Sequence, residues 1–196
     1  QRLDEPGSSR LKEILFMEDE ECRLDEFSGY IKDSEHLKRL LRVFPVVATT
    51  CISASRLGNP EPHFDMTVMD EASQCNTAVG LVPVIRGKSL MLVGDPQQLN
   101  PVILLDEVSN YRLRKKYGVP EEYDYRKNSL YKAFLACDSV SDEVLLRYHY
   151  RCSKPIIDFN NKKYYNSKLL IRSERKPSQP LVYMDVQDGR TNYKNA

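Results

Sequence analysis

Two short apolar runs in this chain end directly in acids, and that pairing limits what the chain can fold into more than any other feature. Met66-Thr67-Val68-Met69 runs into Asp70-Glu71-Ala72-Ser73-Gln74. Leu90-Met91-Leu92-Val93 runs into Gly94-Asp95-Pro96-Gln97-Gln98-Leu99-Asn100-Pro101. Apolar runs of this length read as buried strands. Thr77–Val84 between them reads as a helix, so the segment is strand, helix, strand, the unit of a parallel sheet. In such sheets ligands gather at the carboxyl ends of the strands, where both acidic segments fall.

The alternation continues on both sides. Leu37, Leu40, Leu41 and Phe44 recur at helical spacing behind a capping Ser34, and Pro45 ends that helix. Residues 46–50 (Val-Val-Ala-Thr-Thr) read as a short strand, as do 144–146 and 181–184. Further helices are expected at 108–117, 129–137 and Lys154–Tyr164, with turn-prone segments at 56–62 and 176–180. Residues 1–34 are acidic and read as helical and peripheral. The fold class is α/β, a parallel sheet with flanking helices.

An apolar strand followed by Asp-Glu is the Walker B arrangement. There the first acid, Asp70, holds Mg²⁺, usually through water, and the second, Glu71, polarises the water that attacks the γ-phosphate of ATP. The same pair after an apolar run also serves simply to cap a helix, so it does not decide by itself. The second segment narrows the choice. Gly94 allows a tight turn after the strand, and Pro96 and Pro101 fix the chain on either side of two glutamines. Gln97 or Gln98 can donate to a phosphate oxygen while accepting from a water, which suits sensing of a γ-phosphate.

Composition excludes some classes. Lys+Arg 29 against Asp+Glu 28 leaves the 196 residues at net +1, so no global basic field advertises nucleic acid or an anionic membrane. Charged residues make up 29% and the mean hydropathy is −0.53. No run approaches the ~18 apolar residues of a spanning helix, and no membrane partner is expected. Charge is nonetheless uneven: Glu18, Asp19, Glu20 and Glu21 lie early, while Arg112, Arg114, Lys115, Lys116, Lys162, Lys163, Arg172, Arg175 and Lys176 lie late. That asymmetry points the second half towards an anionic partner, although solvated helix faces give the same pattern. The five cysteines are scattered, with no C-x-x-C pair, which fits a reducing compartment. The chain begins at Gln1 with a polar stretch and shows no signal peptide, so an intracellular site is expected, cytoplasmic or, in a eukaryote, nuclear.

The two acidic segments resemble motifs II and III of superfamily 1 helicases, in the branch around the up-frameshift RNA helicase and its DNA-acting relatives. Further segments follow in that family's order. Val47-Ala48-Thr49-Thr50-Cys51 is similar to motif Ic, and Ser129-Leu130-Tyr131 to the opening of the helix that closes the first motor domain. Leu146-Arg147-Tyr148-His149-Tyr150-Arg151 is similar to the start of the second, with His149 where glutamine is commoner. Pro155 to Asn160 and Tyr164 to Leu169 resemble the helix after it. The agreement spans residues 43–170.

The resemblance implies a RecA-like fold of the P-loop NTPase class, divided as a helical accessory segment (1–42), the later part of a first motor domain (43–140) and the beginning of a second (141–196). It implies ATP and Mg²⁺ as cofactors, with Asp70 on the metal, Glu71 as base, and Asp95 and Gln98 beside the nucleotide. Arg151 is implied to reach the γ-phosphate, and Thr49 and Thr50 to contact the nucleic-acid backbone. Single-stranded DNA or RNA and the remainder of the helicase chain are the implied partners, with movement 5′→3′. A helicase-like scaffold that has lost turnover is the alternative; the presence of Asp70, Glu71, Gln98 and Arg151 together argues against it. No Walker A loop is found: Gly87-Lys88-Ser89 lacks the earlier glycine, whose place is Val82. Nor do the later motor motifs follow Arg151. The expectation is therefore an internal slice of a helicase that does not hydrolyse ATP alone.

Overall fold

The computed structural model describes residues 9–137, 141 and 143–173. The chain divides into two compact units, Gln1–Val140 and Ser141–Ala196.

The first unit begins with three helices, α1 (Ser9–Leu15), α2 (Glu20–Tyr30) and α3 (Ser34–Val43). Asp33, not Ser34, caps α3: its Oδ1 accepts from the N–H groups of Glu35 at 2.9 Å and His36 at 3.0 Å. These donors, His36 N–H foremost, hold the Asp33 carboxyl below its ordinary range. Ser34 is thereby free to accept from Asn59 N–H at 3.1 Å, tying the loop after residue 56 to the helix start. Leu11, Ile14, Tyr30, Ile31, Leu37 and Leu40 are buried with Ala54 and Leu57, and Phe64 and Val82 pack against them. Residues 9–34, the described part of the acidic stretch, are thus not the peripheral segment that their charge pointed to. Their acids lie outward while their apolar positions help build the larger of the two core clusters among the described residues.

Strands β1 (Phe64–Met69) and β2 (Gly87–Leu92) pair in parallel, in register from Phe64↔Gly87 to Met69↔Leu92. Helix α4 (Thr77–Val84) connects them, capped by Asn76, whose Oδ1 accepts from Val79 N–H at 2.9 Å. A second cluster of Met69, Ala72 and Leu130 lies under this unit, joined by Leu90, Leu92 and Phe134. Towards the carboxyl ends of the strands only one sheet face is covered among the described residues. Met66, Val68 and Met91, pointing the other way, stay about half exposed, so the strands are not buried on both faces as their composition implied.

Residues 46–50 form no strand. β-branched residues favour a pleated, half-buried surface, and without a ladder partner the propensity yields only extended chain. A 3₁₀ turn over Ser53–Arg56 follows. After β2 come α5 (Glu107–Tyr117), capped by Asp106 and ended by Gly118 at φ 61°, and α6 (Leu130–Cys137). No described helix is long and apolar enough to cross a membrane.

In the second unit, β3 (Tyr148–His149), α7 (Lys154–Tyr164) and β4 (Leu170–Ile171) make a small parallel strand, helix, strand unit. Pairing falls on residues 148–149, not on the apolar run at 144–146. Leu170 N–H donates to Arg147 O at 2.7 Å and Arg172 N–H to His149 O at 2.8 Å, which fixes the register beyond that run. Buried Asn161 on α7 holds the return: its amide donates to Leu169 O at 3.1 Å, and its Oδ1 accepts from Leu169 N–H at 2.9 Å. The strand expected at 181–184 and the turn at 176–180 lie outside the described residues.

The architecture is therefore α/β with small parallel pairs.

Candidate functional site

The register of β1 and β2 brings the two acidic segments together. Met69 pairs with Leu92, so the residues after both strands leave the sheet side by side. Three hydrogen bonds then lace the loops: Val93 N–H to Met69 O at 2.8 Å, Ala72 N–H to Val93 O at 2.9 Å, and Asp95 N–H to Ser73 Oγ at 3.1 Å. Gly94 is required for this approach, not for a left-handed turn: a Cβ there would sit 2.9 Å from Ser73 N. The left-handed residue is instead Glu71, at φ 53° and ψ 33°. A non-glycine residue held there carries roughly 1–3 kcal/mol of strain, persisting where surroundings determine it.

Those surroundings can be named. Asp70 Oδ1 accepts from Glu71 N–H at 2.9 Å, and the Gln74 amide donates to Glu71 Oε2 at 3.0 Å. The 3₁₀ turn Ala72–Gln74 thus aims Glu71 into solvent with one oxygen already held. Across the loop, Asp95 Oδ1 accepts from Gln97 N–H at 2.9 Å and Oδ2 from the Gln98 amide at 3.0 Å. Asp95 therefore positions Gln98, whose amide oxygen remains an acceptor. Lys132 on α6 donates to Asn100 Oδ1 at 2.9 Å, and Leu130 N–H to Cys75 O at 2.8 Å, so α6 pins both acidic loops.

Asp70, Glu71, Asp95 and Gln98 are thus brought together in one unit. Ser73, Gln74, Asn100 and Lys132 hold them and were missed in the sequence. The i+3 spacing of Gln74 from Glu71 was the available signal.

The other expected residues are placed separately. Thr50 Oγ1 accepts from Ser53 N–H at 3.2 Å and donates to Ser53 Oγ at 3.0 Å, which ties it to the first residue of the 3₁₀ turn. Thr49 Oγ1 donates to Thr50 O at 3.4 Å. Both side chains are exposed, and neither residue lies at a strand end. Their neighbour Cys51 packs on the Met69, Ala72 and Leu130 cluster beneath the acids. Arg151 lies in the second unit, exposed in the turn between β3 and α7. His149 Nε2 accepts from Cys152 N–H at 2.9 Å and braces that turn.

For a hard divalent cation the donor chemistry fits. Mg²⁺ takes one or two carboxylates, phosphate oxygens and several waters, and needs no full protein cage. Asp70 is exposed, and its Oδ2 meets no donor among the described residues. No cluster of three or more potential metal ligands occurs among those residues.

All five cysteines are free thiols. Burial first, and then neighbouring Cys51, push the Cys75 thiol up to about 12. At pH 8 only ~10⁻⁴ of it is thiolate, against roughly a quarter for an ordinary cysteine. Iodoacetamide treatment followed by peptide mass spectrometry is therefore expected to label exposed Cys22 within minutes and leave Cys75 unlabelled until denaturant is added. Equal labelling of the two in the native protein would contradict the packing around Cys75.

Comparison with known proteins adds an independent line. A model of the AAA domain family matches residues 10–106. That match includes α1–α3, which the motif resemblance had left outside. The DNA replication ATP-dependent helicase/nuclease DNA2 of Mus musculus is 32% identical over 175 residues, 89% of this chain and 15% of that protein. The uncharacterized ATP-dependent helicase MJ0104 of Methanocaldococcus jannaschii is 31% identical over 124 residues, 63% of this chain and 16% of that protein. The uncharacterized ATP-dependent helicase MG140 of Mycoplasma genitalium is 28% identical over 176 residues, 85% of this chain and 15% of that protein. The chain thus spans about 15% of the length of the curated relatives it matches.

Proposed function

From the premise that this chain belongs to the superfamily 1 helicases, we propose that it serves as the Walker B and coupling segment of an ATP-dependent motor on single-stranded DNA or RNA. The observation that carries this reading is the lacing of the Asp70-Glu71 turn to the Gly94–Gln98 loop by three backbone N–H donors. Such lacing lets a change at one segment displace the other.

In this reading the fold is RecA-like. Residues 43–140 belong to a first motor domain and 141–196 begin a second; α1–α3, an accessory segment by sequence, are assigned to the first because they share a core with Ala54, Leu57 and Phe64. Asp70 would hold Mg²⁺, which when bound neutralises charge on the β- and γ-phosphates. Glu71, with one oxygen fixed by Gln74, orients the attacking water and takes its proton through the other. Gln98, held by Asp95, presents its amide oxygen to that water or its neighbours. Arg151 is assigned to the γ-phosphate, for which a planar guanidinium is the matched donor. Thr49 and Thr50 are assigned to backbone phosphates, through N–H groups rather than their locally engaged hydroxyls. The phosphate loop comes from the remainder of the helicase chain. The free thiols and the family support an intracellular site, cytoplasmic or, in a eukaryote, nuclear.

The test is made on the full-length protein carrying this chain. ATP turnover is expected to rise on adding single strands, and duplexes with a 5′ tail to be unwound in preference to those with a 3′ tail. Matched DNA and RNA substrates identify the polymer. Absence of ATP turnover with either polymer present would sink the motor reading in favour of the scaffold.

A further inference from the structure

The basic run at 112–116 lies outside the segments that resemble helicase motifs, and the structure divides its charges into two kinds. Asp124 is 2% exposed and accepts from the Asn110 amide at 2.9 Å, Arg114 Nη1 at 2.6 Å and Arg126 N–H at 2.9 Å. Burial alone would raise the Asp124 pKa. The Arg126 N–H, the Asn110 amide and the Arg114 cation outweigh it and hold the group ionised below the usual carboxylate range. Asn110 and Arg114 are one turn apart on α5, so this buried hub fixes the rotation of the helix about its axis.

With that face turned inward, Arg112, Lys115 and Lys116 are exposed on the outer side. None of the three forms an ion pair among the described residues, although Glu107, Glu121 and Glu122 are near in sequence and Glu121 is taken by Lys127. Tyr111 is 62% exposed and Tyr117 67%, one before and one after the cations in sequence, Tyr117 at the carboxyl end of the helix. Lys116 Nζ lies 5.1 Å from the Tyr117 ring centroid, which keeps its charge at that aromatic face. The helix dipole accounts for cations in the last turn. It does not account for Arg112 or for two large rings left in water.

We propose that the outer face of α5 is an accessory contact for a single-stranded nucleic acid, with Arg112, Lys115 and Lys116 on phosphates and Tyr111 and Tyr117 as stacking platforms. Charge complementarity selects the partner: unpaired cations about one turn apart suit a polyanion, and aromatic rings beside them suit unstacked bases. The proposal rests on the motor reading and adds to it a site beyond the motifs.

The test uses the full-length protein and a fluorescein-labelled oligothymidylate, with an oligouridylate in parallel, titrated by anisotropy across a salt series. Replacing Arg112, Lys115 and Lys116 together by glutamine is expected to weaken binding ~10-fold or more. The log affinity against log salt slope should fall by about 2 units, at ~0.7 per phosphate contact. Arg112→Lys with Lys115→Arg and Lys116→Arg keeps the charge and is expected to keep the slope. Tyr111→Leu with Tyr117→Leu should weaken binding without changing it. Wild-type binding with the same affinity and slope in the glutamine variant overturns this proposal alone and leaves the face to an acidic protein partner. A wild type that binds neither oligonucleotide overturns the motor reading as well.

Discussion

Replacing Glu71 by glutamine is expected to stop ATP turnover by the full-length protein, by ~10²–10⁴-fold, the contribution of a positioned general base. ATP binding should stay near wild type. The substitution removes a charge and almost nothing else. A glutamine oxygen can still accept the Gln74 amide, which now meets Glu71 Oε2 at 3.0 Å, so the 3₁₀ turn has its brace. The left-handed backbone at residue 71 is no harder for glutamine than for glutamate, because the two share a Cβ and Cγ. The lacing from Val93, Ala72 and Asp95 runs through the main chain and Ser73, not through the carboxylate. What is lost is the ability to take a proton from water. Single-turnover hydrolysis with radiolabelled ATP, beside equilibrium binding of a fluorescent ATP analogue, separates the two effects. A variant that still turns over ATP would show that Glu71 is not the base. One that no longer binds would show that the turn had collapsed.

This prediction was legible in the sequence because it depends on local order: an apolar strand, then two acids, then a second strand with its own acid. Periodicity and capping placed α4 and α7 to the residue, and placed α5 and α6 within one residue, since each carries a clear start signal. The errors share a physical origin. Residues 46–50 and 144–146 have strand composition, but a strand exists only where a neighbour supplies the ladder, and a neighbour is not a local property. Residues 1–34 read as peripheral because their charges are conspicuous. The apolar positions Leu11, Ile14, Tyr30 and Ile31 turned out to weigh more. In the site itself, Gly94 was given the right importance for the wrong reason. Its need arises from Ser73, 21 positions away, and no local rule reports such an approach. The bracing by Gln74 and Lys132 was hidden for the same reason.

Replacing Arg86 by methionine is expected to destabilise the first unit by about 3 kcal/mol, a large share of the 5–15 kcal/mol that holds a typical domain. Arg86 is 5% exposed and has no carboxylate partner among the described residues. Its guanidinium donates from Nε to Leu57 O at 3.0 Å, from Nη1 to Val82 O at 2.6 Å and from Nη2 to Ser55 O at 3.4 Å. These carbonyls belong to the last turn of α4 and the end of the 3₁₀ turn Ser53–Arg56, where chain ends leave acceptors without intrahelical donors. One planar cation satisfies both ends. Burial lowers its pKa, yet a guanidinium remains protonated. Methionine matches the length and the apolar stem, so packing is largely kept and the loss is that of the donors. Two or three buried carbonyls at about 1–3 kcal/mol each, partly relieved by entering water, give the expected magnitude. Lysine should recover little, because a point charge cannot serve three acceptors in a fork. The turn that Arg86 holds through Ser55 is also the one whose first residue, Ser53, bonds Thr50, the residue proposed above for backbone phosphates. Urea unfolding gives the stability, and amide exchange at Ala54 and Leu57 shows whether this turn opens first. A methionine variant with a wild-type midpoint and unchanged exchange would mean that water already serves those carbonyls and that Arg86 holds nothing.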